Sequence, residues 1–323
     1  MNSLSKTVFW MKIFLTLLFN TLLSCTNKPS DNIRIGILDG PSAVSFIQMI
    51  DEPPVIEGKQ VKFIIKSDPQ QIQALMMQGE LDFAILPTVM AANLYNKGIN
   101  YRMVACPIWG TLYLVTNTSH RNFKSLKGQT ISVIGQGTTP DVLLQHVLKD
   151  KKIDGVKIDY TYSTNSELAQ ALQFGKVKVA VISEPLVSIL LAQNPKMHIV
   201  SKLDCEEYMD NSDKDIFVQT SFLVSARFIK ENPGLVPKVC DEYSNSCNFI
   251  SDQPQKAAEL LVSHRFLPNL SIAKLSLPLC NIRYVAAFAL EKEIDRYLSI
   301  FLEINPESIG GKLPSSEFIF QTY

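Results

Sequence analysis

The residues best placed to meet a ligand sit in four short loops, each following an apolar run and opening a helical pattern. Gly135-Gln136-Gly137-Thr138-Thr139-Pro140 is the richest of them. Its glycines let backbone approach a bound group, Thr138 and Thr139 supply hydroxyls, and Pro140 suits a first helical turn. A carboxylate, sulfonate or phosphate is favoured there by the helix dipole and by unpaired N–H groups. The same residues also suit an ordinary helix start, with Thr139 capping its own helix. The other loops are Leu38-Asp39-Gly40-Pro41-Ser42, Leu86-Pro87-Thr88 and Ile182-Ser183-Glu184-Pro185. Asp39 suits a ligand cation or hydroxyl, or simply a turn with Gly40. Glu184 either faces a cleft or favours the first turn of its helix. Trp109-Gly110 offers an indole that stacks on a flat or apolar ligand beside a residue that leaves room, or else a packed core ring. Gln219 and Thr220 lie on a later β-rich run as weaker candidates.

Catalytic groupings are poor by comparison. His120, His146, His198 and His264 are scattered, and no GxSxG or HExxH signature occurs. Gly135-x-Gly137 lacks the third glycine of a nucleotide fingerprint. The six cysteines (25, 106, 205, 240, 247, 280) contain no CxxC pair, which leaves neither a zinc knuckle nor a thioredoxin-type motif. Cys240 and Cys247, seven apart on an expected helix, stand ~10.5 Å apart, too far for a disulfide. Mostly buried free thiols are expected, with Cys106 in a core strand, and neither metal nor cofactor. The 323 residues balance 31 basic against 31 acidic side chains, with 46% hydrophobic and 19% charged. That composition excludes a disordered chain and gives no basic field for nucleic acid. The length suits two domains.

The elements that carry these loops alternate. Ile33–Leu38, Val61–Lys66, Asp82–Leu86 and Tyr101–Cys106 read as strands, and Pro41–Ile50, Pro69–Gln78 and Thr88–Asn96 as helices. Such alternation argues a mostly parallel sheet with helices on its faces. The unit then recurs. Gln73-Ala74-Leu75 with Gly79 to Ile85 aligns with Gln170-Ala171-Leu172 with Gly175 to Val181, at an offset near 97. Thr164-x-x-Glu167 is a capping box. Gly110–Asn117 and Ile216–Ala226 are β-rich runs on either side of the second unit. After them the pattern reads as wholly helical, with candidates Arg227–Asn232, Leu235–Ile250, Pro254–His264 and Tyr284–Ile304. The economical arrangement inserts the second lobe (114–223) into the first (33–113 plus 224–323). Two crossing strands then form a hinge under a cleft.

The first residues have a different character. Lys6 and Lys12 precede an apolar run from Ile13 to Leu23 that is too short for a spanning helix. Leu22-Leu23-Ser24-Cys25 resembles a bacterial lipobox. An export signal over 1–24, lipid attachment at Cys25 and a linker over 25–32 are expected; the alternatives are an uncleaved anchor or a buried strand. Met11 offers a second start. Residues 25–323 carry 29 basic and 31 acidic side chains.

The chain resembles the type II substrate-binding proteins of ABC importers, nearest the nitrate/sulfonate/taurine and thiamine-precursor branch. The likeness covers about residues 33–265. It rests on Ile33-Arg34-Ile35-Gly36, on Leu75…Gly79…Asp82-Phe83-Ala84, on Phe123-Lys124-Ser125-Leu126-Lys127-Gly128-Gln129-Thr130-Ile131 and on Ala171-Leu172…Gly175…Val179-Ala180-Val181-Ile182-Ser183-Glu184-Pro185. Lys178 departs from the pattern where the first unit has Asp82. The resemblance implies a two-lobe α/β periplasmic-binding-protein fold, with mixed, mostly parallel sheets, helices on both faces and a hinge of two crossing strands. It implies a monomeric, exported receptor held to a bacterial membrane by lipid. Its partners would be a small anionic or heteroaromatic solute and the permease and ATPase subunits, with no nucleic acid and no catalysis. Enzymes of the chorismate-dehydratase and pyrimidine-synthase types share the fold and form the competing expectation, and a lipoprotein that senses a solute without transport is a third.

Overall fold

Strand and helix follow one another because apolar residues alternate in some stretches and recur every third or fourth residue in others. The computed structural model describes residues 31–203 and 217–321. β1 (Asn32–Leu38), in which Ile33, Ile35 and Ile37 are fully buried, leads to α1 (Pro41–Ser45) and α2 (Ile47–Asp51). β2 (Val55–Ile56) and β3 (Lys59–Lys66) form a hairpin, and α3 (Pro69–Met77), β4 (Phe83–Pro87), α4 (Thr88–Asn96) and β5 (Tyr101–Ile108) follow. The chain then passes to β6 (Leu112–Thr116), β7 (Thr130–Ser132), α5 (Thr139–Asp150), β8 (Lys157–Asp159), α6 (Asn165–Gln173), β9 (Val179–Ser183), α7 (Leu186–Gln193) and β10 (His198–Lys202). It continues with β11 (Thr220–Ser225), α8 (Ala226–Glu231), α9 (Leu235–Asp252), α10 (Pro254–Ser263), α11 (Leu270–Leu279), β12 (Ile282–Ala286) and α12 (Glu291–Ile304).

Two mixed sheets result. The seven-stranded sheet runs β12-β5-β11-β4-β1-β3-β2 and the five-stranded sheet β10-β6-β9-β7-β8. β1 pairs parallel with β4, and β7 parallel with β8 and β9. β11 lies antiparallel between β4 and β5, as β6 does between β10 and β9. The chain therefore leaves the larger sheet between β5 and β6 and rejoins it between β10 and β11.

The internal repeat has a structural counterpart. Asp68 accepts from Gln70 N to cap α3, and Thr164 accepts from Glu167 N in a complete capping box on α6. The strand that follows each helix differs at its entrance. Asp82, 4% exposed, accepts from Arg34 N, Nε and Nη2 and from Arg227 Nη2, which ties β4 to β1 and α8. Its counterpart Lys178 is exposed, and its carbonyl accepts from Thr116 Oγ1 and Asn117 N.

Four expectations need correction. The sheets are mixed but not mostly parallel, because β12–β5, β5–β11, β11–β4, β2–β3, β10–β6 and β6–β9 pair antiparallel, against β1–β4, β7–β8 and β7–β9 in parallel. The region after β11 is not wholly helical, because Ile282–Ala286 forms β12 on the edge of the larger sheet beside β5. The helix expected over Tyr284–Ile304 accordingly starts at Glu291, where acids occupy the first turn and the apolar stripe Ile294, Tyr297, Leu298 and Phe301 begins. Pro41–Ile50 is two short helices broken at Phe46, whose ring stacks on Tyr243 at 3.7 Å and meets the edge of Phe222. Placing that ring among its aromatic neighbours outweighs one continuous helix. The export signal, the Cys25 lipid site and most of the 25–32 linker lie outside the described residues.

α12 reaches both sheets' helices. It packs on α4 and on α5, and its apolar stripe joins one buried cluster with Val89 and Leu94 of α4 and Val142 and Val147 of α5. Beyond it, Glu307 O and Ile309 O accept from Asn93 and Asn96 of α4.

Candidate functional site

At the carboxyl ends of β1, β4, β7 and β9 the helices begin and their first N–H groups lack helical partners. The β1–α1 loop and the β9–α7 loop meet face to face. Gly40 has φ +90°, and a Cβ there would lie 3.7 Å from Pro185 Cδ and 4.0 Å from Glu184 O. Asp39 is exposed and accepts from Gly40 N at 2.8 Å, the turn contact that its type allows. Pro41 opens α1, and Ser42 behind it is buried.

The passages between the sheets lie beside this meeting point. Thr111 O accepts from Glu184 N at 3.1 Å, and Thr111 N donates to Gln219 Oε1 at 2.8 Å. Gln219 O accepts from Thr88 N, and Thr88 Oγ1 accepts from Ser221 Oγ at 3.0 Å. Thr220 stands opposite Pro87, and Ser183 opposite Leu112. Gly40, Thr88, Glu184 and Thr220 thus gather around Thr111 and Gln219. The side chain of Gln219 links the two passages, which Thr or Ser at that position is too short to do.

Glu184 is 2% exposed, and its carboxylate accepts from Ser188 Oγ at 3.0 Å and from Ser276 Oγ at 2.8 Å. Burial pushes its carboxyl up to about 7, against the opposing pull of the two serine hydroxyls. Ser276 belongs to α11, so this acid joins the end of β9 to a helix distant in sequence.

The Gly135–Pro140 loop differs from the expected helix start. Thr138, not Thr139, stands at the helix N-cap, and its hydroxyl lies 2.9 Å from Ile134 O and 2.7 Å from Gly135 O. Thr139 is the first helical residue and Gln136 is exposed. The fully buried Asp141 places a carboxylate in the first turn, where it accepts from Gly137 N at 2.7 Å, Gln145 Nε2 at 3.0 Å and Tyr160 Oη at 2.8 Å. An acid there already satisfies the positive end of the dipole. Gly137 O accepts from Asn305 Nδ2 at 2.9 Å, which anchors the loop to the end of α12.

Trp109 is packed by its own chain. Its Nε1–H donates to Arg283 O at 2.7 Å, and the Arg283 guanidinium lies 4.6 Å over the ring. Gly110 O accepts from Asn281 Nδ2 at 2.7 Å. Trp109 also lines a recess of about 670 Å³ between α9, α11, the start of β12 and the end of β10. Asp141, Asn281, Arg283 and Asn305 escaped the sequence reading. Only the acid inside a first helical turn (Asp141) carries a local signal.

Cys106, Cys240, Cys247 and Cys280 are free, and burial raises all four thiols, Cys106 and Cys280 to about 12. Among the described residues no three of His, Cys, Asp and Glu converge on a metal-sized site.

A family model described as NMT1/THI5 like matches residues 55–257. Among solved structures, an ABC transporter from Parabacteroides distasonis is 32% identical. Its match covers 91% of this chain and 100% of that one, with a TM-score of 0.81. The fold is also that of the periplasmic aliphatic sulphonate binding protein SsuA from Escherichia coli, at 16% identity, 91% and 94% coverage and a TM-score of 0.72. The periplasmic nitrate-binding protein NrtA from Synechocystis shares it more distantly, at 9% identity, 75% and 69% coverage and a TM-score of 0.56. No curated protein matches.

Proposed function

The chain belongs to the NMT1/THI5-like family, and on that premise we propose that it is the substrate-binding component of an ABC importer. The observation that carries the reading is the meeting of Gly40 with Glu184–Pro185. It sets loops from two separate sheets against each other beside the passages that connect them. A small solute held between those loops would draw together two lobes, 33–113 plus 224–323 and 114–223, and favour a closed form. The closed form would then dock on permease and ATPase subunits. We read the solute as an organic anion or a heteroaromatic compound, and the protein as a monomer exported and tethered by lipid at Cys25. The 32%-identical relative, an ABC transporter from Parabacteroides distasonis, supports transport over catalysis. So does the engagement of the acids near the loops, Glu184 by two serines and Asp141 by Tyr160 and Gln145.

The test is a thermal-shift screen of sulfonates, aromatic carboxylates and thiamine-related pyrimidines, since a ligand of the native state raises its stability. One class is expected to raise the melting temperature in a concentration-dependent way. Thr138→Ala with Thr139→Ala should then weaken that ligand. A panel without any shift overturns the solute class, and unchanged affinity in the double variant overturns the loop site.

A further inference from the structure

Glu184 lies in a seam between helices that belong to different sheets. It follows β9 of the five-stranded sheet, whereas α11 leads into β12 of the seven-stranded one. α11 packs on α7, and the acid takes one hydroxyl from each side, Ser188 of α7 and Ser276 of α11. Both serines are themselves fully buried. The titratable groups on the surrounding elements do not neutralise a charge there. α7 has none, and Lys274 of α11 lines the recess beside Trp109. Asp39, on the β1–α1 loop, is exposed and accepts from Gly40 N. Tyr113 of β6 donates to Leu279 O. Cys280 ends α11 with its Sγ 3.6 Å from Ser276 Oγ, and its thiol is raised by burial and by Glu184. A carboxylate shut in this seam has lost its water, and two neutral hydroxyls replace only part of it. A proton removes that cost, since each hydroxyl can turn to accept from the acid. Lifting α11 from α7 removes it too, by admitting water.

We propose that Glu184 is a proton-operated latch across this seam, closed when the acid carries its proton and loosened when it is ionised. The latch rests on the two-lobe reading, because Ser188 and Ser276 fall on different lobes, and it adds regulation to that reading. A solute that needs the closed form is held more firmly as pH falls. The direction follows from linkage. Burial sets the carboxyl of the closed seam at about 7, and an opened seam returns it to ~4.3. Opening therefore becomes easier as pH rises from about 4.3 to about 7, and changes little outside that window.

Cys280 is the reporter, because it is fully buried and a thiol reagent reaches it only when the seam opens. The full-length protein is labelled with dithiodipyridine, and the modified cysteines are assigned by mass spectrometry. From about pH 5 to about pH 7, labelling of Cys280 should rise about fortyfold more in the parent than in Glu184→Gln, whose seam holds no titrating acid. The ratio of the two cancels the reagent's own pH dependence. Ser276→Ala, which removes the bond from α11, should speed Cys280 labelling about tenfold at pH 7. Cys247, buried in the core of the larger sheet, should label more slowly than Cys280 throughout, which separates seam opening from global unfolding. An equal rise in parent and Glu184→Gln, unchanged labelling in Ser276→Ala, or Cys280 no faster than Cys247 would each overturn the latch and leave the two lobes standing. If Cys280 follows pH while amide exchange in α12 does not, α11 lifts alone, and the two-lobe reading fails together with the latch.

Discussion

Ser276 Oγ donates to Glu184 Oε2 at 2.8 Å, which links the loop after β9 to α11 through an acid that has almost no contact with water. Burial is the main reason the Glu184 carboxyl is raised to about 7, whereas in an unfolded chain it titrates near ~4.3. The folded state therefore binds that proton more tightly. The stability it contributes is complete below about pH 4.3 and is lost as pH rises through about 7, amounting to roughly 3–4 kcal/mol. Glu184→Gln removes the charge and retains an oxygen that accepts from a serine. The variant should melt above the parent at pH 8 and level with or below it at pH 5. Identical melting curves at pH 8 would show that no buried charge is being carried.

Asp82 and Lys178 occupy corresponding places in the repeat, but only the acid is buried and bound. Removing it by Asp82→Ala leaves Arg34, itself half-buried, without its partner, at a cost of about 2–3 kcal/mol. Lys178→Ala should change stability by no more than about 0.5 kcal/mol. Urea denaturation of the two variants checks the contrast, and equal losses would contradict it.

At Gly137, φ is +77° and a Cβ would stand 2.4 Å from Asn305 Nδ2. Gly137→Ala should cost about 1–3 kcal/mol, part from the left-handed backbone and part from the displaced amide. Asn305→Ala vacates the space, so the double variant should lose less than the sum of the single losses. Strict additivity would place the whole effect in the backbone.

For Cys25 the expectation concerns location. Cys25→Ala should move the protein from the membrane pellet to the soluble fraction of a cell extract. Retention in the pellet would end the lipid-tether proposal.

Regular elements with their own period were legible in the sequence. Thr88–Asn96 forms the expected helix to the residue, and Thr164 with Glu167 forms the expected box. β12 was hidden because Tyr284 to Ala289 runs apolar directly into a strongly amphipathic helix, and only pairing with β5, far back in the chain, makes it a strand. The site was legible loop by loop and not as an assembly. Which residue Thr138 bonds, or that Trp109 supports Arg283, depends on contacts across 174 positions or on backbone geometry within a single turn. Spacing carries neither kind of information. The α11 helix, with Pro278 in its last turn, also gave no clear sign of itself.

α12 has one foot in each half of the molecule. Asn305 holds the Gly137 loop, while Asn93 and Asn96 hold the segment that follows the helix. Any motion that parts the two sheets must strain or release one of these attachments. On the proposed two-lobe motion, the amide protons of α12 should exchange with solvent faster when those attachments open. If the lobes part as proposed, deuterium uptake along Glu291–Ile304 is expected to rise with that opening, before any ligand is added.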